Sequence, residues 1–164
     1  MVNSAQNVLF FSERTEDTSY LCNSFVCEFS EKGKCFPTIE HYLAYNKAKI
    51  AGDSRMADIV LMTEDVELVK KFGKSIINHD EAKWQKVHFQ ILWRGIYFKF
   101  MQNKKLKIKL ILTLGKKLIY ANGQDSFYGN GIEPHHKVVS PFFTQGFNIL
   151  GFALMDVREH ILNE

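Results

Sequence analysis

A carboxylate and an amine seven residues apart, Glu40 and Lys47, stand in the run Thr38-Ile39-Glu40-His41-Tyr42-Leu43-Ala44-Tyr45-Asn46-Lys47. Pro37 ahead of the run and the spacing of its apolar residues predict a helix. Seven residues is about two turns, so both charges fall on one stripe of that helix. Beside a pocket, a carboxylate can assist a leaving base, orient water, or stabilise positive charge growing on a ribose C1′. An amine whose charged form is disfavoured by burial can attack the same carbon once the sugar ring opens. Apolar neighbours such as Leu43 favour the neutral amine and Glu40 opposes it, and the sequence does not decide that contest. The same two residues also suit an ion pair on a solvated helix face.

A second group lies at Asp125-Ser126-Phe127-Tyr128-Gly129-Asn130-Gly131. A loop with two glycines lets backbone approach a ligand at Gly129, while Asp125 can bind ribose hydroxyls or activate water. Asp125 can also close a turn on its own following backbone. Trp84 is able to stack on a base or to pack in the core. The amide of Asn23 suits ribose recognition or a tight turn, and Asn148 suits a helix start or the fixing of a loop. His135 and His136 read as residues of an exposed loop. Cys22, Cys27 and Cys35 with His41 match no common metal spacing, so no metal site is predicted. Gly129-Asn130-Gly131 lacks the strand–turn–helix context of a dinucleotide fingerprint.

These residues must be positioned by a chain of 164 residues, 46% hydrophobic and 13% aromatic, with fourteen Phe. That length and composition predict one domain, residues 1–164, with a dense core. The formal net charge of +3 neither demands nor excludes nucleic acid. Lysines gather at Lys70, Lys71 and Lys74, and again at Lys104, Lys105, Lys107, Lys109, Lys116 and Lys117, either as a solvated surface or as an attractor of phosphate. An odd cysteine count and the lack of a secretory leader pattern predict a reducing, cytoplasmic setting. No apolar run is long enough for a bilayer, so no membrane association is expected.

Short aromatic or β-branched runs at 8–11, 25–29 and 34–36 predict small N-terminal strands. Thr38 caps a helix ending near Gly52, Asp53 or Ser54 caps a second through Met62, and Thr63 a third ending at Gly73. From Asp80 to Met101 runs the longest helical pattern, apolar on two sides and therefore predicted to lie between layers. Trp84 and Trp93, half a turn out of phase, cannot face one pocket. Lys105 to Leu112 alternates with strand period yet also fits a helix. A short strand over 118–121, loops over 122–131 and 132–145, and a helix over 148–162 complete the chain.

The run Gly33-Lys34-Cys35-Phe36-Pro37-Thr38-Ile39-Glu40-His41-Tyr42, with Lys47-Ala48 after it, resembles the signature of the NADAR (YbiA-like) family. Leu21-Cys22-Asn23 with Phe29 is similar to that family's opening, and Trp84 through Lys99-Phe100 to its long helix. Asp125 to Gly131 is similar to its Asp-x-x-Trp-Gly-x-Gly turn. Gly146-Phe147-Asn148-Ile149-Leu150-Gly151 with Leu154-Met155-Asp156-Val157-Arg158 is similar to its closing helix. The blocks keep the family's order from about Leu9 to Ile161.

The resemblance implies a mainly α, α+β domain with a small N-terminal sheet, and a helix at 105–112. It further implies hydrolysis of a C1′–N glycosidic bond, either in ADP-ribosylated guanine or in ribosylamino intermediates of riboflavin synthesis. Glu40, Lys47 and Asp125 would be catalytic; Asn23, Trp84, Tyr128 and Gly129 would bind substrate. The expected partner is a phosphoribosyl or ADP-ribosyl small molecule or ADP-ribosylated DNA, with no cofactor. A non-catalytic ADP-ribose or nucleotide-binding module is the alternative. Tyr128 stands where the family usually has Trp, His88 where it often has Arg, and Tyr120 where it often has Glu.

Overall fold

A computed structural model describes residues 7–76, 80–133 and 145–164 of the chain. Among them are six helices and four short strands, an α+β fold rich in helix. In chain order these are β1 (Val8–Phe11), β2 (Phe29–Glu31), β3 (Lys34–Phe36), α1 (Ile39–Ile50), α2 (Ser54–Met62), α3 (Val66–Ser75), α4 (Glu81–Gln102), α5 (Lys104–Ile111), β4 (Lys117–Tyr120) and α6 (Ile149–Leu162). The fold divides into two compact units, one drawn from Met1–Cys22 and Lys104–Glu164, the other from Asn23–Asn103.

In the Asn23–Asn103 unit, β2 and β3 make an antiparallel hairpin with Phe29 opposite Phe36 and Glu31 opposite Lys34. Its two turn residues, Lys32 and Gly33, both have positive φ, as a tight hairpin requires. The strand predicted at 25–29 begins only at Phe29. Val26 is 70% exposed, and the Cys27 N–H donates to Pro37 O at 2.9 Å instead of joining a ladder.

Thr38 caps α1 as predicted, its hydroxyl accepting from the His41 N–H. Asp53 caps α2 through the Met56 N–H. Thr63 does not cap α3. Its hydroxyl donates to Ile59 O at 2.7 Å and so finishes α2, while Asp65 accepts from the Glu67 and Leu68 N–H groups and starts α3. Helix α1 packs against α2, α3 and α4. Where it meets α3, a Cβ added at Gly73 would lie 3.6 Å from Ala44 Cβ, so two small residues allow a close approach.

Helix α4 buries residues of both predicted faces, Trp84, Ile91 and Leu92 of one and Ile96 and Phe100 of the other. Trp84, His88, Ile91, Leu92, Gly95, Ile96, Lys99 and Phe100 form one buried stripe. On the other side Phe89 is exposed, and Trp93 stacks on Tyr97 at 5.4 Å and 9°. The two rings cover each other, one turn apart on the helix. The buried stripe crosses α1 at Gly95, where an added Cβ would come 2.7 Å from Tyr42 Cδ1. Tyr42 cannot yield easily: it is fully buried and its hydroxyl donates to Glu31 Oε2 at 2.7 Å. Gly95→Ala is therefore expected to destabilise the fold despite better helix propensity. Overpacking costs about 1–3 kcal/mol against roughly 1 kcal/mol returned by alanine. A lower urea midpoint is the expected reading, and an unchanged or higher midpoint would refute the tight crossing.

In the other unit, β1 and β4 pair in parallel, Val8 opposite Lys117 through Phe11 opposite Tyr120. The far edge of β4 is closed by side chains. Asn148 Nδ2 donates to Leu118 O at 3.0 Å, and its Oδ1 accepts from the Tyr120 N–H at 2.9 Å. One amide thus replaces a neighbouring strand, and Asn148 adopts a left-handed conformation to do so. Gly151 is obligatory beside it, since a Cβ there would lie 2.3 Å from Leu118 O. The segment predicted over 105–112 is the helix α5, Lys104–Ile111, with Leu110 buried. Buried Arg158 pins the turn after α5 by donating to Thr113 O, Thr113 Oγ1 and Lys116 O. No helix among the described residues is long and apolar enough to cross a membrane.

Candidate functional site

Glu40 and Lys47 both lie on α1, Glu40 in its first turn and Lys47 in its last. Both are half-buried. The start of the helix is held twice. Thr38 accepts from His41, and the Glu40 N–H donates to Asn23 O at 3.2 Å. Asn23 is 5% exposed, and its side-chain Oδ1 finds no hydrogen-bond partner among the described residues. Asn23 therefore sits against Glu40 with a buried acceptor in hand, although its backbone also serves the helix end.

Lys47 Nζ donates to Gly73 O at 3.0 Å and lies 5.8 Å from the centroid of the Trp84 ring. Gly73 belongs to the last turn of α3, whose carbonyls have no partners within the helix and form its negative end. Burial pushes the Lys47 ammonium below the usual lysine range, and the charge of Glu81 opposes that shift. Trp84 is 9% exposed and turns its ring to Lys47. Two groups absent from the predicted site therefore act on the amine, the Gly73 carbonyl and the charge of Glu81, beside Trp84, which was expected to meet substrate and here faces the cation. The first has no side-chain signature and could not be read from sequence.

His41 belongs to the framework. Its Nε2 lies 2.8 Å from Thr63 O, an acceptor only, so Nε2 carries the proton. Its Nδ1, 2.8 Å from Thr38 Oγ1, then accepts the hydroxyl proton. Burial lowers its pKa, consistent with a neutral ring tying α1 to the end of α2. Cys22 is buried, Cys27 half-buried and Cys35 exposed, and none of the three is in a disulfide. No group of three or more His, Cys, Asp or Glu among the described residues is arranged to hold a metal ion. His135 and His136 lie outside the described residues.

In the other unit Asp125 makes the turn that its type allows. Its Oδ1 accepts from the Phe127 N–H at 2.9 Å and the Tyr128 N–H at 2.8 Å. Gly129 is buried, and a Cβ there would lie 2.6 Å from Asp125 O, so this glycine is required by the loop's own packing. Tyr128 is half-buried, its ring edge-on to Phe127 at 5.0 Å. Tyr120 donates its hydroxyl proton to Glu13 Oε1 and accepts from Asn122 Nδ2 at 2.9 Å. Burial, then the neighbouring carboxylate, hold that phenol far above its usual range. His88 packs beside Trp84, with Nδ1 3.1 Å from Gln85 O.

Known proteins share this plan. A family model described as NADAR domain matches residues 9–162. A riboflavin biosynthesis protein of Vibrio vulnificus is 27% identical over 159 residues, which cover 97% of this chain and 40% of that protein. An N-glycosidase of Acanthamoeba polyphaga mimivirus is 29% identical over 133 residues, covering 80% of this chain and 76% of that one. The NMR structure of Escherichia coli YbiA superposes with a TM-score of 0.81 at 22% identity, over 96% of this chain and 86% of that one, and shows the fold. The chain spans well under half the length of the Vibrio relative.

Proposed function

The chain belongs to the NADAR domain family, and on that premise we propose that it is a hydrolase of N-glycosidic bonds. Water adds to a sugar C1′, the C1′–N bond breaks, and the departing nitrogen takes up the proton. The observation that carries the reading is the pair on α1. A carboxylate and an amine share one helix stripe, the amine aimed by Gly73 O and Trp84. The carboxylate of Glu40 would stabilise charge at C1′ and so assist departure of the nitrogen. Lys47 would balance negative charge on the leaving group or a phosphate.

Relatives carry the names N-glycosidase and riboflavin biosynthesis protein. The second name supports ribosylamino intermediates of riboflavin synthesis as substrates for this chain; the family resemblance adds ADP-ribose on guanine, free or carried on DNA. Each joins a heterocycle to C1′ of a phosphorylated sugar. The chemistry asked of the α1 pair needs no cofactor.

A non-catalytic ADP-ribose-binding module is the second reading, favoured by Tyr120, which stands where the family often has Glu and whose hydroxyl donates to Glu13. Single turnover separates the two. With enzyme in excess over guanine-linked ADP-ribose and, separately, over a ribosylamino riboflavin intermediate, the hydrolase releases free base from one of them within minutes. Tight retention of both with no base released would establish the binder.

A further inference from the structure

We propose that the outer face of α5 and the turn after it form a surface that adsorbs to an anionic lipid bilayer. Ile108, Leu112 and Leu114 enter the headgroup layer, and the lysines around them stay at its phosphates. This surface lies wholly within the unit that contains α6 and owes nothing to the N-glycosidase reading. Adsorption needs no spanning run, so the hydropathy that predicted no membrane association does not bear on it.

The turn inverts the usual sorting of side chains. Leu112 is 75% exposed and Leu114 58%, while Thr113 between them is 6% exposed. Hydrogen bonds cause this. The Thr113 hydroxyl donates to Leu110 O at 2.6 Å and accepts from Arg158 Nη1 at 2.9 Å. The same Nη1 donates to Thr113 O at 2.7 Å and to Lys116 O at 3.0 Å. Arg158 is itself buried, so rolling the turn over to cover the leucines would strand a buried guanidinium. Ile108, 57% exposed, lies one helical turn before Leu112 on the outer stripe of α5, away from buried Leu110. The N–H groups of Leu112, Thr113, Leu114 and Lys116 already donate to the carbonyls of Ile108, Leu110, Ile111 and Thr113. Those donors would enter the headgroup layer satisfied, as an apolar medium requires.

Charge identifies the partner. Lys104, Lys105 and Lys109 are exposed, each one turn along the helix from Ile108 or Leu112. Lys107 is half-buried beside them, and Lys116 is exposed just past the turn. No Asp or Glu stands anywhere from Ala82 to Gln124. A second copy of the chain would therefore bring lysine against lysine. A nucleic acid would use the lysines and leave three aliphatic side chains in water, since its phosphates give them no contact. A protein would need a groove fitted to an exposed helix ridge, whereas a fluid bilayer moulds to one. Anionic headgroups take the ammonium groups while the lysine stems lie along the apolar boundary.

Co-sedimentation with vesicles tests the surface, using phosphatidylcholine alone and an equal mixture of phosphatidylcholine and phosphatidylserine. Wild-type protein should pellet with the mixed vesicles, not with phosphatidylcholine alone, and should be released as salt rises. Changing Lys104, Lys105 and Lys107 together to Gln should weaken partitioning by about 100-fold, at roughly 5-fold for each lysine. Leu112→Ser with Leu114→Ser should weaken it by about 10-fold or more, the worth of an aliphatic side chain leaving water. Leu112→Phe with Leu114→Phe should keep it. Because both leucines are mostly exposed, the serine pair should melt with the wild type in a thermal scan. No pelleting with the mixed vesicles, equal pelleting with phosphatidylcholine alone, or full retention by the serine pair overturns the surface. A wild type that binds duplex DNA but not vesicles, with the serine pair binding DNA equally well, overturns it in favour of a nucleic acid.

Discussion

Glu40→Gln should lower turnover on an N-glycosyl substrate by a factor of about 100 to 10,000, the usual worth of a positioned acid–base group. Glutamine keeps the shape of the side chain and loses only its charge. The helix start does not depend on that charge, because Thr38 and Asn23 O hold the first N–H groups. The negative side chain in the first turn of α1 does interact with the positive helix end, worth about 0.3–1 kcal/mol at an exposed site. The variant should therefore fold, with a urea midpoint near wild type. If Glu40 acts chiefly in the transition state, kcat falls while KM barely moves. Turnover within a few-fold of wild type would remove Glu40 from the mechanism, and a collapsed urea midpoint would reassign it to the helix cap.

The α1 pair was legible because its signals are local. Pro37, Thr38 and the apolar spacing define the helix, and the seven-residue interval then places both charges. Competition between neighbouring signals was not legible. Thr63 and Asp65 are both good caps, and only the structure shows the Thr63 hydroxyl already spent on Ile59 O. On α4 the aromatic faces were legible, but not that Trp93 would stack on Tyr97 one turn away along the helix. For α5 strand and helix periods coincide over eight residues, and burial of Leu110 against an otherwise lysine-rich face settles the helix. Contacts made by backbone leave no trace in side-chain chemistry. Gly73 O beneath Lys47 is the clearest case, and Asn23 O accepting from the Glu40 N–H is another. Asp125 offered two readings from sequence, and its Oδ1 takes the turn.

Lys47 can act as a nucleophile or as a cation, and the two roles predict opposite responses to pH. Attack on C1′ to form an imine requires the neutral amine, so the rate would rise as pH climbs through its pKa. A cation that steadies a phosphate or a departing base works only when protonated. Its contribution is complete below the pKa and lost as pH rises through it. Burial moves the Lys47 pKa down from 10.5, which brings this transition closer to neutrality than for an ordinary lysine. Against that, the Gly73 carbonyl, the face of Trp84 and the charge of Glu81 all favour the proton. Desolvation is the larger effect and lowers the pKa on balance, while these three groups favour the proton, and the cationic role is the one expected here. Lys47→Ala should then cost about 100- to 1,000-fold in kcat/KM, as for removal of one preorganised electrostatic donor. Lys47→Arg should recover part of that loss and abolish the alkaline fall in rate, since guanidinium does not titrate there. Borohydride added during turnover should leave no sugar on the Lys47 peptide by mass. A trapped adduct, or a rate that rises through the alkaline transition, would make the amine the nucleophile and give Glu40 the task of accepting its proton.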